Sequence, residues 1–310
     1  MQKSIKKTLV LGLVLSLIMS MFSFAFAQED NAKQRATAFL LSNGWTKYDI
    51  DDLLTDEALL VYADAISLVS SEHMYYKVTE TEAIRVTESQ FNDGVAEGKQ
   101  IEAQNLKTLK KAASTEATLA VNTVSPTIRT SNGWLECYVQ SVDIGGGKYA
   151  IGYHYEWLIQ PPHTKIDVFG LGHSTTLTKT NDPVYYIYKA KFAAYDVNFQ
   201  YLGTFSQETQ TPTLKNIDSG GIAFGQDLYD DDMGMFGGVD YFDHKGYIQC
   251  NAVSNNTSNT QASISGEYKH QSSVFSITPS ISYPLGIGLT VSSSSSFTTL
   301  SPNPYLAFSI

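Results

Sequence analysis

The chain has only two cysteines, Cys137 and Cys250, in 310 residues. No CxxC pair occurs, so zinc ribbons and thioredoxin-type redox centres are excluded. Cationic residues are also scarce: 21 Lys and Arg stand against 31 Asp and Glu, a net charge of −10. So acidic a balance argues against nucleic acid and anionic membrane surfaces as partners. There is no G-x-S-x-G elbow and no phosphate-cradling glycine loop between a strand and a helix. No internal repeat of fixed period appears. After residue 27 no apolar run is long enough to span a bilayer, so no transmembrane segment is expected once the leader is removed.

What the sequence does contain begins with MQKSIKKTLVLGLVLSLIMSMFSFAFAQED. Lys3, Lys6 and Lys7 form a basic start, an apolar run follows to Phe24, and Ala25-Phe26-Ala27 is a small-x-small cleavage site. This is the pattern of a secretory signal peptide over 1–27, and a secreted or extracellular location follows from it. Cleavage removes three lysines and leaves 18 basic against 31 acidic residues, net −13. In an oxidising compartment the two cysteines are expected to form one disulfide, Cys137–Cys250.

Residues 28–113 read as a helical region. AKQRATAFLLSNGW puts Ala36, Phe39 and Leu40 on one face and stops at Asn43-Gly44. Thr46 with Asp49, and Thr87 with Gln90, are capping-box pairs; Thr55 is a further N-cap. DEALLVYADAISLV reads as a helix, and HMYYKV and AIRV as short strands. ESQFNDGVAEGKQIEAQNLKTLKKA reads as one long helix with Phe91, Val95, Leu106 and Leu109 near one face. Gly94 and Gly98 lower its propensity, and Glu102 interrupts its apolar stripe.

Residues 114–127 are small, polar and Thr-rich, and read as a linker. From 128 to 310 the pattern is β. LECYVQSVDI and KYAIGYHYEWLI alternate on either side of Gly145-Gly146-Gly147, a hairpin signal. Seven or more further short strands follow, punctuated by Gly, Asn, Ser and Pro. The expected fold class is α+β: a small helical N-terminal region, then an antiparallel β-sandwich or jelly-roll-like domain.

Three sites are candidates. GQDLYDDDMG and VDYFDHKG carry Asp227, Asp230, Asp231, Asp232, Asp240 and Asp243. Calcium takes six to eight oxygens, and a turn at MGMFGG would bring the two groups together. The spacing does not fit an EF-hand, and a water-screened acidic loop is the alternative. His154 and Glu156 share a strand face, with His163 and His173 downstream, which suggests zinc or acid–base chemistry or else a plain polar face. Tyr153, Tyr155 and Trp157 lie on the opposite face and are either a ligand-facing aromatic surface or ordinary sheet packing.

No catalytic constellation stands out. The expected function is that of an exported, non-enzymatic binding or surface-interaction protein with an extracellular glycan or protein ligand, calcium being the one cofactor the residues suggest. A membrane-acting, pore-forming-like toxin is an alternative, on the Ser/Thr-rich alternation of residues 254–302. A secreted hydrolase using His154 or Glu156 is another.

Overall fold

Threonine side chains set the helix starts. In the computed structural model, Thr46 accepts from the Asp49 N–H while Asp49 accepts from the Thr46 N–H, and Thr55 accepts from the Ala58 N–H. The described residues are 28–115, 130, 132–160, 165–197, 200–234, 237–255, 260–271, 280–282, 289–292 and 297–310. The expected signal peptide lies outside them, as do most of the linker and parts of the Ser/Thr-rich segment.

The chain divides between Ala65 and Ile66. The first unit holds α1 (28–42), α2 (Lys47–Leu53), α3 (Asp56–Leu60) and a 3₁₀ turn, Val61–Asp64. Its buried side chains are Ala36, Leu40, Trp45, Ile50, Leu53, Ala58, Leu59 and Tyr62. Gly44 adopts φ +94° after α1, a left-handed conformation that favours glycine. Lys33 ties α1 to α3 through Asp56 at 2.8 Å. The helix expected over DEALLVYADAISLV ends at Asp64, because the β-branched and aromatic residues after Ala65 continue as a strand.

That strand places the boundary earlier than the sequence suggested. β1 (Ser67–Val78) and β2 (Ala83–Val86) belong to the second unit, since β1 pairs with β3 (Gly133–Gly145). β3 and β4 (Lys148–Ile159) form the expected hairpin, with Gly145, Gly146 and Gly147 all at positive φ. β7 (Tyr185–Tyr195), β8 (Tyr201–Thr209) and the long β12 (Gly237–Ser254) complete the main path of one antiparallel sheet. Its order is β2-β1-β3-β4-β12-β7-β8, and β6 (Leu177–Lys179) and β11 (Asp232–Gly234) also pair with β12.

A second sheet runs β16-β13-β5-β10-β9. These strands are Phe297–Thr299, Gln261–Gln271, Ile166–His173, Gly221–Asp227 and Leu214–Ile217, and β17 (Tyr305–Ser309) pairs with β13. A small pair joins β14 (Ser280–Ser282) to β15 (Thr290–Ser292). The two large sheets share one core. Tyr155 of β4 meets Phe169 of β5 and Tyr268 of β13 edge-on, at centroid distances of 4.8 and 4.7 Å. Each such pair contributes about 0.5–1.5 kcal/mol beyond its burial. The domain is a β-sandwich, as expected.

Helix α4 (Glu88–Thr115) is capped by the Thr87–Gln90 box and lies on the first sheet. It runs two residues into the expected linker. Phe91 and Val95 are buried with Ile159 against it. Gly94 and Gly98, four residues apart, explain how it fits. A Cβ on Gly94 would fall 1.9 Å from Trp134 Cζ2, and one on Gly98 would fall 2.8 Å from Ile159 Cγ1.

The expected disulfide does not form: Cys137 and Cys250 are both buried free thiols. Register explains this. Cys137 lies opposite Tyr155 on β4, whereas Cys250 lies opposite Ile151 from the other side of β4. Two strand spacings and a four-residue offset put their Cα atoms roughly 16 Å apart. A disulfide needs less than about 7 Å.

Candidate functional site

β12 carries a β-bulge. Phe242 opposes Lys191 and Lys245 opposes Lys189, so three steps on β12 match two on β7. The bulge holds Asp243 at φ +56°, a conformation most side chains avoid. Bulges re-aim side chains, and this one sends neighbouring residues apart. Asp243 pairs with Lys191 and lies 3.9 Å from Lys245. His244 is buried, with Nδ1 2.7 Å from the Tyr188 hydroxyl. Asp243 and His244 therefore do not act as a pair.

Around the bulge runs a transverse row of charges. Glu136, Glu156, Lys245, Lys189 and Glu208 are successive cross-strand partners on β3, β4, β12, β7 and β8. Cross-strand partners share a face, and like charges side by side there repel. Each like pair is offset by opposite charge. Lys245 is fully buried with Glu156 at 3.7 Å, and Lys189 lies 3.7 Å from Glu208, while Glu136 is within hydrogen-bond distance of His73 Nδ1 at 2.9 Å. Burial pushes the Asp243 carboxyl up, but its hydrogen bond with Glu156 and the charges of Lys245 and Lys191 outweigh that and hold it below its ordinary range.

Beside the bulge lies a cleft of about 440 Å³ between α4 and the sheet. Lys99, Glu102 and Leu106 line it from α4; Tyr195, Asp240, Phe242 and Asp243 line it from β7 and β12. Glu102, which interrupts the helix stripe in sequence, faces this cleft. An aromatic ring beside carboxylates and hydroxyls can stack on one face of a polar ring compound while hydrogen-bonding its edge.

The acidic hairpin forms as the sequence suggested: Asp232 opposes Val239 in the β11–β12 pair. Its carboxylates are dispersed among different partners. Asp231 Oδ1 accepts the Tyr241 N–H at 2.8 Å, Asp230 is exposed, Asp240 lines the cleft and Asp243 joins the lysines. Asp227 is raised by burial, and the Asp232 side chain lies outside the described residues. Among the described residues no three His, Cys, Asp or Glu side chains are grouped to hold a metal ion.

His154 and Glu156 do share a face of β4, as alternation requires. They face different neighbours. His154 packs on Tyr138 at 5.4 Å, and burial with His73 and Lys245 nearby lowers its imidazole to about 3. His173 belongs to the second sheet, and His163 lies outside the described residues. Tyr153, Tyr155 and Trp157 have no exposed surface. The ligand-facing reading of these three rings is overturned: they point between the sheets and form the core.

A buried polar network emerged that the sequence reading did not single out. Asp167 and His270 are cross-strand partners on β5 and β13, with Oδ1 2.6 Å from Nδ1. The other Asp167 oxygen accepts from Trp157 Nε1 at 3.2 Å and from the Tyr268 hydroxyl. Trp157 belongs to the opposite sheet, so the carboxylate joins the two layers. Burial raises the Asp167 carboxyl, with His270 and Trp157 pulling it back. The available signal was an aspartate in the otherwise uncharged IDVFGLG.

No family model matches the chain, and no curated protein matches it. One solved structure with some likeness is described as "Complete structure of manganese lipoxygenase of Gaeumannomyces graminis and partial structure of zonadhesin of Komagataella pastoris". The match is 8% identical, with a TM-score of 0.21, and covers 57% of this chain and 66% of that one. A likeness of that level assigns neither fold nor function. Among the described residues no helix is long and apolar enough to cross a membrane.

Proposed function

We propose that the protein is an exported, non-enzymatic binding or surface-interaction protein whose β-sandwich unit holds a glycan-type ligand in the cleft beneath α4. The cleft carries this reading: it sets Tyr195 and Phe242 beside Asp240, Glu102 and Thr204 in about 440 Å³. Sugars are recognised by such a combination, an apolar ring face with directed hydrogen bonds at its rim. The export part rests on the residue pattern of 1–27 alone. Glycan-array binding by the purified protein tests the ligand. Phe242→Ala and Asp240→Asn should each reduce the signal tenfold or more, and Tyr195→Phe, which keeps the buried ring in place, should reduce it less. Binding unchanged in all three variants moves the ligand elsewhere. N-terminal sequencing of protein recovered from the medium should begin near Gln28.

A further inference from the structure

Edge strands expose unpaired backbone N–H and C=O groups, and proteins blunt them with short length, charge or proline. Two edges here are blunted in this way. β2 at one end of the first sheet has four residues and carries Arg85; β9 at one end of the second has four and carries Lys215. β8 is different. It has nine residues, YLGTFSQET, with no lysine, arginine or proline, and among the described residues β7 is its one strand partner. Tyr201, Leu202 and Phe205 are 56%, 64% and 51% exposed. Exposure continues on both sides of the pleat, so neither face of β8 is covered. At about 3.4 Å per residue the open rim is roughly 30 Å long.

We propose that β8 pairs antiparallel with β8 of a second copy of this chain, joining two sandwiches through one continuous sheet. Charge selects the occupant. Glu208 is the single ionised side chain of β8, it sits near the strand's C-terminal end, and it lies 3.7 Å from Lys189. A basic or acidic strand would find no counter-charge along the rest of the rim. A second β8 about a two-fold axis matches it, because the two Glu208 residues then lie at opposite ends. The chain as a whole has net charge −10, so copies repel over most of their surface. The uncharged rim is where they can meet, and a two-fold makes that contact self-complementary. Phe205 already stacks on Phe192 at 5.5 Å within its own sheet, which holds the central aromatic of the rim in place.

Sedimentation velocity from 1 to 100 μM tests this. The purified protein should move from monomer to dimer within that range. Leu202→Lys and Phe205→Lys, both at exposed positions, should stay monomeric at 100 μM with an unchanged circular dichroism spectrum. A second readout avoids reliance on those variants. Since both native thiols are buried, Ser206→Cys introduces one accessible thiol, and a short bis-maleimide should cross-link two chains through it. A wild type that stays monomeric at 100 μM overturns the proposal. So does a dimer that persists in both lysine variants without Ser206→Cys cross-linking. A monomer whose β8 instead captures a strand of another protein also overturns it, and assigns the rim to that partner.

Discussion

Asp167 and His270 face each other across β5 and β13 with 2.6 Å between Oδ1 and Nδ1, and neither is measurably open to water. Breaking a buried pair strands its partner, at about 3–5 kcal/mol. Asp167→Ala and His270→Ala should each lower urea stability by about that much. The double variant should lose less than the sum, as expected of coupled groups. Additive losses in the cycle would mean that the two do not act together.

α4 supplies a second test, in which two effects oppose each other. Gly94→Ala gains up to about 1 kcal/mol of helix propensity. It also drives a methyl group into the Trp134 indole, and overpacking costs about 1–3 kcal/mol. Net destabilisation is expected, partly rescued by Trp134→Phe. A more stable Gly94→Ala variant would show that the helix does not seat on the sheet at this point.

Acid should weaken the fold through His154. Its folded pKa of about 3 lies below the ordinary 6.5 because burial disfavours the charged ring, with His73 and Lys245 adding repulsion. Between those values the unfolded chain binds a proton that the folded chain does not, so stability falls as pH drops from 6.5 toward 3. His173, also lowered by burial, acts in the same direction. Asp167, raised by burial, acts oppositely as pH climbs above its unfolded 3.8. His154→Gln isolates the first contribution. Its stability-versus-pH slope should be shallower by up to about 1.4 kcal/mol per pH unit in that window. An identical slope would mean that His154 is protonated in the folded state.

The cysteines give the simplest measurement. Burial raises both thiols, Cys250 to about 12 and Cys137 further, so neither forms a thiolate at neutral pH. A thiol-reactive dye should count no reactive groups in the native protein and two after denaturation. Reductant should leave the melting temperature unchanged. A shift on reduction would mean that the protein carries a disulfide after all.

Local chemistry was legible in the sequence. The capping pairs Thr46–Asp49 and Thr87–Gln90, the triple-glycine turn and the placing of Tyr153, Tyr155 and Trp157 on one strand face all follow from contacts a few residues apart. What failed depends on register and on which face is covered. Redox compartment suggested a disulfide, but compartment carries no information on the four-residue offset between Cys137 and Cys250. Gly94 and Gly98 looked like weak helix positions, since propensity does not anticipate an indole lying across the helix. The aromatic stripe of β4 was visible, but alternation alone does not say which side another sheet will cover. Asp167 in an apolar strand and Glu102 in an apolar helix stripe were the two readable exceptions. One joins the layers and the other lines the cleft.

The eighteen residues of β12 have a consequence for the order in which the chain matures. β4 and β7 sit on either side of β12 and do not pair with each other along the main path of the sheet. Until Ser254 has been synthesised, the hairpin β3–β4 and the hairpin β7–β8 have no strand to bring them together. Non-local pairing of this kind is slow and leaves apolar edges open while it waits. In a nascent chain halted before Gly237 the first sheet would therefore lie in two unjoined halves, β2-β1-β3-β4 and β7-β8, and a helper that shields exposed strands during elongation would act before that residue.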